Sequence, residues 1–472
     1  MKKWLYDRVP AVCRGWAASL RGAQLNRLRY GHDLDRLVHE ANEREYWSNE
    51  QWGEYRALGL DDILSRALQG VPFYRRYRRQ APEVDWRSGF VGLATLPVLR
   101  KEMLRREPAS FLHDEAVRAR MWREQTSGST GTPVTLWQSR DAVRQWYGLF
   151  EARWRRWNGL TRANRWAIFG GQLVTPFRQR KPPYWVWNSA MGQLYCSTYH
   201  LSAASAAAYV EAIKKYRVEY IWGYASAIAV LARFVLDQGI QVPQIQLALS
   251  NAEPLYSHQR DLIRMAFQCP VKDTYGMSEM VCGASECEHG GIHLWPEVGI
   301  CEVLNDGLEG PSRTGEAGQL VCTGLLNREM PLIRYVTGDV VMLADNASRC
   351  KCGRTLPLIE RIEGRSDDLI VTPDGRSVGR LDPVFKSNLP IVEAQVAQVE
   401  HDHIVVRIVR GAGFGDACEH SLRVGLAERL GEMRVSFEYL DAIPRGKNGK
   451  FKAVVSCIPT ESMDRGSVHA PG

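Results

Sequence analysis

Two short stretches carry side chains that bind metals. "CGASECEHGGIH" spans residues 282–293 and "CKCGR" spans 350–354. A Cys-X-Cys pair, a distant cysteine and a histidine supply donors for a tetrahedral Zn²⁺ ion, and Cys287, His293, Cys350 and Cys352 are the best four. Cys282 and His289 are rival donors in the same stretch. Four protein ligands leave no open coordination position, so such an ion would be structural. The other reading of these residues is buried thiols beside a solvated histidine. A different chemistry is suggested by "EQTSGSTGTP", residues 124–133. Its glycines let backbone N–H groups approach a polyanion, and its hydroxyls add donors. It is not a Walker A loop, because no Gly-Lys-Ser/Thr follows the glycines. A plain surface turn has the same composition.

Further motifs follow in order: "SNAEP" (250–254), "TYGMSE" (274–279), "RYVTGD" (334–339), "EGRSDD" (363–368) and "IPRGKNGKFK" (443–452). Each is weak alone; the ordered set is not. With them the sequence, from about 60 to 456, resembles the adenylate-forming superfamily of acyl-CoA ligases and synthetases, closest to the phenylacetate-CoA ligase branch. The start, with "LNRLRYG", is similar to the CapK-type members found among capsule and exopolysaccharide proteins.

The resemblance implies a reaction: a carboxylate attacks the α-phosphate of ATP, pyrophosphate leaves, and a thiol then takes the acyl group and releases AMP. It implies that Thr126, Ser127, Gly128, Ser129, Thr130 and Gly131 hold the terminal phosphates. Thr132 stands where relatives often carry a lysine, which removes one positive charge there. Glu279 would reach Mg²⁺, an ion content with one carboxylate plus phosphate oxygens and water. Tyr275 would stack near the adenine, bordered by Ala252 and Glu253, and Gly276 and Ser278 would also bind the nucleotide. Asp339 would accept hydrogen bonds from both ribose hydroxyls, and Arg365 would serve the ribose or phosphate. A structural Asp339–Arg365 ion pair is the alternative. Asp367 would be the hinge between domains, and Lys450 the mobile catalytic lysine, with Lys447 and Lys452 as rivals. Trp222, Gly223 and Tyr224 of "WGYASA" lie where relatives bind the acid; the plain reading places them in the core. Some phenylacetate-ligase-like proteins carry a metal of the Cys/His type described above. Cofactors so implied are ATP, Mg²⁺ and coenzyme A. A carrier-protein thiol, an amine or a sugar is the alternative acceptor, and a non-catalytic nucleotide-binding relative is the remaining alternative.

The elements that must position these residues are legible in the pattern. The first 120 residues read as helical, and "HDLDRLVHEANEREYWSNEQWGEYRALGLDDILSRALQG" stops at a glycine. From about 165, short apolar runs such as "RWAIFGGQLV" and "VEYIWGYAS" alternate with helices such as "SAIAVLARFVLDQG". That alternation predicts an α/β sheet with covering helices, then a β-rich part over 292–345. A smaller, mobile α+β unit is expected at the C-terminal end. The expected organisation is a basic helical segment (1–60), a large adenylation domain (61–365), a small C-terminal domain (366–458) and a loose tail (459–472).

The net charge of +8 is concentrated at the start, where seven basic side chains face Asp7 within residues 1–31. The spacing of Trp4, Leu5, Val9, Val12, Trp16 and Leu20 suits a helix with one apolar side. It reads either as a solvated helix packed on its own domain or as peripheral contact with the inner membrane. Neither it nor "RRYRRQ" (75–80) makes a nucleic-acid groove. No run of about 18 apolar residues occurs, and the start lacks a signal-peptide pattern. A cytoplasmic location is expected, with most of the eleven cysteines reduced and buried.

Overall fold

The computed structural model describes residues 9–80, 89–125, 134–172, 174–176, 178–305, 307–308, 310–313, 315–345, 348–365, 370–373, 377–378, 381, 384–385, 389–446 and 451–457. It opens with helices α1 (Ala11–Arg29), α2 (Leu34–Arg44), α3 (Asn49–Gly70), α4 (Pro72–Gln80), α5 (Gly89–Thr95) and α6 (Lys101–Arg106). The break between α2 and α3 is chemical. The Ser48 hydroxyl accepts from the Gln51 N–H at 3.2 Å, and the Gln51 side chain accepts from the Ser48 N–H at 2.9 Å. This reciprocal cap starts α3, which runs unbroken through position 60. "RRYRRQ" forms the end of α4.

The apolar side expected of the first helix does not decide how α1 docks. Trp16 and Leu20 are 78% and 69% exposed. The helix instead presents small residues: the Asn26 side chain donates to the Ala190 carbonyl at 3.2 Å, and Ser19 accepts from the Ser189 N–H at 3.0 Å. Glycines let the helix come close: a Cβ on Gly15 would fall 3.3 Å from the Trp187 carbonyl oxygen, and one on Gly22 would fall 2.1 Å from Asn188 Oδ1.

Strands β1 (Trp122–Gln125) and β2 (Thr135–Gln138) pair antiparallel on either side of the hydroxyl-rich segment. Helix α7 (Arg140–Leu149) follows. Strand and helix then alternate through β3 (Trp166–Gly170), β4 (Trp185–Asn188), β5 (Gln193–Ser197), α8 (Ala203–Lys215), β6 (Tyr220–Gly223), α9 (Ala225–Asp237), β7 (Leu247–Ser250), α10 (Ser257–Phe267) and β8 (Val271–Gly276). Buried Phe169, Ile221 and Ala248 on the strands pack against Tyr209, Leu231 and Ile263 on the helices. A β-only stretch follows: β9 (Gly283–Glu286), β10 (Ile292–Leu294), β11 (Gly299–Leu304), β12 (Gly318–Gly324), β13 (Tyr335–Leu343) and β14 (Leu358–Arg365).

These strands form one sheet in the order β11-β12-β13-β14-β10-β9-β8-β7-β6-β3-β5-β4. From β8 through β7, β6 and β3 to β5 the pairing is parallel; from β8 through β9 to β11 it is antiparallel. The antiparallel half curls back on itself: Tyr275 on β8 reaches Asp339 on β13, and Cys282 beside β9 touches Cys301 on β11.

The smaller α+β unit has its own core. Beyond the short pair β15 (Ile370–Val371) and β16 (Ser377–Val378), strands β17 (Ile391–Glu400), β18 (His403–Arg410), β19 (Arg434–Tyr439) and β20 (Val454–Ser456) form a sheet in the order β19-β18-β17-β20. Helix α11 (Asp416–Leu430) covers it, burying Leu422 and Leu426 against Val396 and Val406. No helix among the described residues is long and apolar enough to cross a membrane.

A buried ion pair links the turn of helix after α7 to the connection between β10 and β11. Arg153 donates both terminal nitrogens to Glu297 at 2.9 and 2.8 Å, with both side chains buried. Removing one partner of such a pair strands a charge in the interior. Glu297→Ala should lower unfolding stability by about 3–5 kcal/mol, read as a lower urea midpoint at unchanged slope. Joint replacement by Arg153→Met and Glu297→Leu should recover most of that loss.

Candidate active site

In an open α/β sheet, ligands bind beyond the carboxyl ends of parallel strands, where the topology switches. Here that place is occupied by the quoted motifs. "WGYASA" leaves β6, "SNAEP" leaves β7, and "TYGMSE" leaves β8, the strand at which pairing changes from parallel to antiparallel. Ala252 and Gly276 are exposed there, as is Ser278; Glu253, Tyr275 and Glu279 are half-buried. Ala252 has φ +61°, a left-handed conformation that turns the chain sharply between β7 and Glu253.

Asp339 and Arg365 face each other in register on β13 and β14. The Tyr275 hydroxyl donates to Asp339 Oδ2 at 2.6 Å, and Arg365 Nη1 lies 3.4 Å from Oδ1. Burial, with the Asp339 charge adding to it, pushes the Tyr275 phenol well above its usual value. A carboxylate offers about four lone-pair positions, so two partners leave room for two hydroxyl donors. Gly338 is required beside it: at φ +79° a Cβ would meet Arg365 Nη2 at 2.6 Å. The ion pair therefore leaves the carboxylate able to accept further donors.

Glu279 is fixed by a residue that the motif reading did not single out. The Tyr335 hydroxyl donates to Glu279 Oε1 at 2.9 Å, and Tyr335 is buried. The other carboxylate oxygen is left for a hard cation, so the donor type fits Mg²⁺. Tyr335 lies in the "RYVTGD" stretch, and only the curl of the sheet brings it to Glu279. Glu253 holds two segments together: it accepts from the Ser226 N–H at 3.1 Å and from the Phe451 N–H at 2.6 Å. Burial raises its carboxyl above the usual range, and these hydrogen bonds oppose the rise. Phe451 belongs to "IPRGKNGKFK", so that stretch ends against the β7 loop.

Of the residues expected around the acid, Gly223 is buried and structural, because a Cβ there would fall 2.3 Å from the Phe169 carbonyl oxygen. Trp222 stacks among aromatic rings, 5.2 Å from Phe150 and 5.3 Å from Trp166 between centroids. Its indole N–H is buried and has no partner among the described residues. Tyr224 sits near Glu253 with its phenol pushed up to about 12, chiefly by burial. Thr126 to Gly131, Thr132, Asp367, Lys447 and Lys450 lie outside the described residues.

The structure brings Cys287, His293, Cys350 and Cys352 into one group, with their donor atoms within 4.8 Å of one another. Cys287 and Cys350 sulfurs are 3.5 Å apart, and Cys352 Sγ is 3.3 Å from His293 Nε2. Zinc–sulfur bonds of about 2.3 Å place tetrahedral sulfurs about 3.8 Å apart, so the donor set fits zinc. His293 is oriented from behind, its Nδ1 lying 3.3 Å from the Leu356 carbonyl. Burial first, then neighbouring arginines, hold its imidazole down to about 4, so it presents a neutral nitrogen. Of the rivals, His289 is exposed and outside the group, and Cys282 belongs to a different cluster. The knuckle is anchored by Arg354, which donates to Glu45 at 2.8 Å and to Glu288 at 2.8 Å.

The chain was compared with known proteins. Residues 370–457 match the model of the CapK C-terminal domain. Protein CapK of Staphylococcus aureus is 24% identical over 97% of this chain and 100% of its own length. Phenylacetate-coenzyme A ligase of Thermus thermophilus is 27% identical, over 81% of this chain and 84% of its own. The fold is similar to that of 2-hydroxyisobutyryl-CoA ligase solved with an acyl-adenylate, at TM-score 0.67 and 18% identity, covering 89% of this chain and 92% of that one.

The metal group generates a direct expectation. Protein purified without added metal should carry one zinc ion per chain by elemental analysis. Cys352→Ser should lose that zinc and melt at lower temperature, whereas Cys13→Ser, at an exposed site, should keep both. Zinc-free parent protein with three freely reactive thiols at Cys287, Cys350 and Cys352 would remove the site.

Proposed function

We propose that this chain, a homologue of CapK and of the phenylacetate-coenzyme A ligases with their adenylate-forming fold, is an AMP-forming acid–thiol ligase. One observation carries the reading above others. Tyr275, Asp339 and Arg365 converge where the sheet switches pairing, with Glu279 held close by Tyr335.

In the first step a carboxylate oxygen of the substrate attacks the α-phosphorus of ATP, and the bond to pyrophosphate breaks. Asp339 accepts the ribose hydroxyls, Tyr275 braces that carboxylate and borders the base, and Arg365 supplies positive charge. Mg²⁺, when bound at Glu279, neutralises charge on the phosphates. Thr126 to Gly131 hold the terminal phosphates through backbone amides and hydroxyls. Lys450 stabilises the charge that develops at the α-phosphate. In the second step a thiolate attacks the acyl carbon and AMP leaves. The large part, 61–365, carries the first set of residues, and the small part, 366–458, carries Lys450 and turns about Asp367. The unpartnered Trp222 N–H is a donor for the acid.

Coenzyme A is the acceptor on the ligase relatives' side. The match of 370–457 to CapK favours a second acceptor: a carrier-protein thiol, an amine or a sugar in capsule assembly. Peripheral membrane contact would use the exposed Trp16 and Leu20 of α1.

The test is pyrophosphate release from Mg·ATP against aryl, fatty and sugar acids without thiol. Release that depends on one acid is expected, and adding coenzyme A then identifies or excludes it as acceptor. Absence of release together with absence of ATP binding would overturn the reading. Lys450→Ala should slow adenylation by roughly 100-fold or more while ATP still binds. An unchanged rate would move the role to Lys447 or Lys452. Asp339→Ala should raise the KM for ATP roughly 10- to 100-fold, the worth of hydrogen bonds to a charged group.

A further inference from the structure

A second group of sulfurs lies apart from the zinc-type knuckle. We propose that Cys282, Cys301 and Cys322 bind a soft, thiophilic cation of the monovalent copper class.

Cys301 on β11 and Cys322 on β12 are direct partners in register, so their side chains leave the same face of the sheet. Cys282 joins them from the segment that follows "TYGMSE". Two glycines let that segment come so close. A Cβ on Gly299 would fall 2.1 Å from the Val281 carbonyl oxygen, and one on Gly324 would press on Val281 Cγ1 at 3.0 Å. The sulfur of Cys301 is 3.6 Å from that of Cys282 and 3.7 Å from that of Cys322. All three lie within 4.8 Å of one another.

Metal–thiolate bonds of about 2.3 Å put the sulfurs of a trigonal site about 4.0 Å apart, so shifts of a few tenths of an ångström would admit an ion. Among the described residues no fourth cysteine, histidine or carboxylate joins the group. Structural zinc takes four ligands, whereas thiolates also select monovalent copper. The surroundings suit a soft ion as well. Cys282 and Cys322 are buried members of the core cluster that also holds Leu320 and Ala284. Arg56 lies close enough to Cys301 to interact with its charge, and Cys301 is the least buried residue of the three. The thiols take no part in the proposed ligase chemistry, although Cys282 and Cys322 both lie near enough to Tyr275 to interact with it.

The experiment uses the full chain, reduced and kept anaerobic with its resident zinc. Monovalent copper is delivered from a bathocuproine disulfonate complex, and copper capture, thiolate-to-copper absorption and zinc content are read together. Parent protein should take up one equivalent of copper and keep its zinc. Cys352→Ser should still take up that equivalent, whereas Cys301→Ser and Cys322→Ser should lose it. Cys301 is half-buried, so Cys301→Ser decides the matter should Cys322→Ser fail to fold. Equal uptake by Cys301→Ser and the parent would overturn the site. So would copper entering only as zinc leaves. A Cys301–Cys322 disulfide in protein that takes up no copper after reduction would overturn it too, assigning the pair to redox chemistry.

Discussion

The Tyr275–Asp339 hydrogen bond sets the geometry of the whole upper face. Its partners stand on β8 and β13, which β9, β10 and β14 separate in the sheet. A flat sheet would hold them about four strand spacings apart, roughly 19 Å, far beyond hydrogen-bond reach. The 2.6 Å contact therefore exists only because the antiparallel half rolls over. The same roll delivers Tyr335 to Glu279 and Cys282 to Cys301. Strand twist supplies part of that curvature. The register irregularities between Val340 and Val341, and between Met342 and Leu343, supply more where β13 meets β14.

A second constraint holds the roll against the helices. Glu45, at the end of α2, accepts from Trp157 Nε1 at 2.6 Å and from Arg354 Nε at 2.8 Å. Arg354 also lies 4.2 Å from the Trp157 ring centroid. Thr355, the next residue, binds the carbonyls of Glu45 and Trp47 at 3.0 and 2.6 Å. A surface ion pair of this length would contribute little, but Glu45 is buried and its carboxylate is satisfied by two separate segments, at Trp157 and at Arg354. The Cys350–Cys352 knuckle is thus tied to the N-terminal helices as well as to His293. A zinc ion there would add covalent character to a junction that hydrogen bonds already define.

What the sequence disclosed follows from how local each signal is. The alternation of apolar runs with helices such as Ala225–Asp237 marks the parallel half, because period and caps are written within a dozen residues. The order of motifs placed Tyr275, Asp339 and Arg365 in one family of sites, and the four zinc-type donors could be chosen by spacing. The roll was not legible, since curvature arises from registers between strands far apart in the chain. For that reason Tyr335 was not singled out, and Cys282 was left among the zinc rivals. That α1 packs on its own domain was legible, but the face it uses was not. The apolar stripe with Trp16 and Leu20 is a real pattern, yet the edge strand selected the small face, where backbones can approach.

The placement of Glu253 has a consequence for how the two parts of the chain cooperate. Its carboxylate borders the proposed base site and accepts the Phe451 N–H, one residue beyond Lys450. Closure that brings the lysine to the α-phosphate must then be compatible with this anchor. In the proposed cycle, rotation that removes the lysine for the thiol step would break it. Burial has raised the carboxyl, so breaking the bond leaves a costly charge unless another donor or a proton replaces it. The Ser226 N–H supplies one donor throughout, because it belongs to the large part. In the proposed cycle Glu253 would thereby register the position of the small part. A nucleotide that altered the hydrogen bonding of Glu253 would bias the rotation without contacting the hinge.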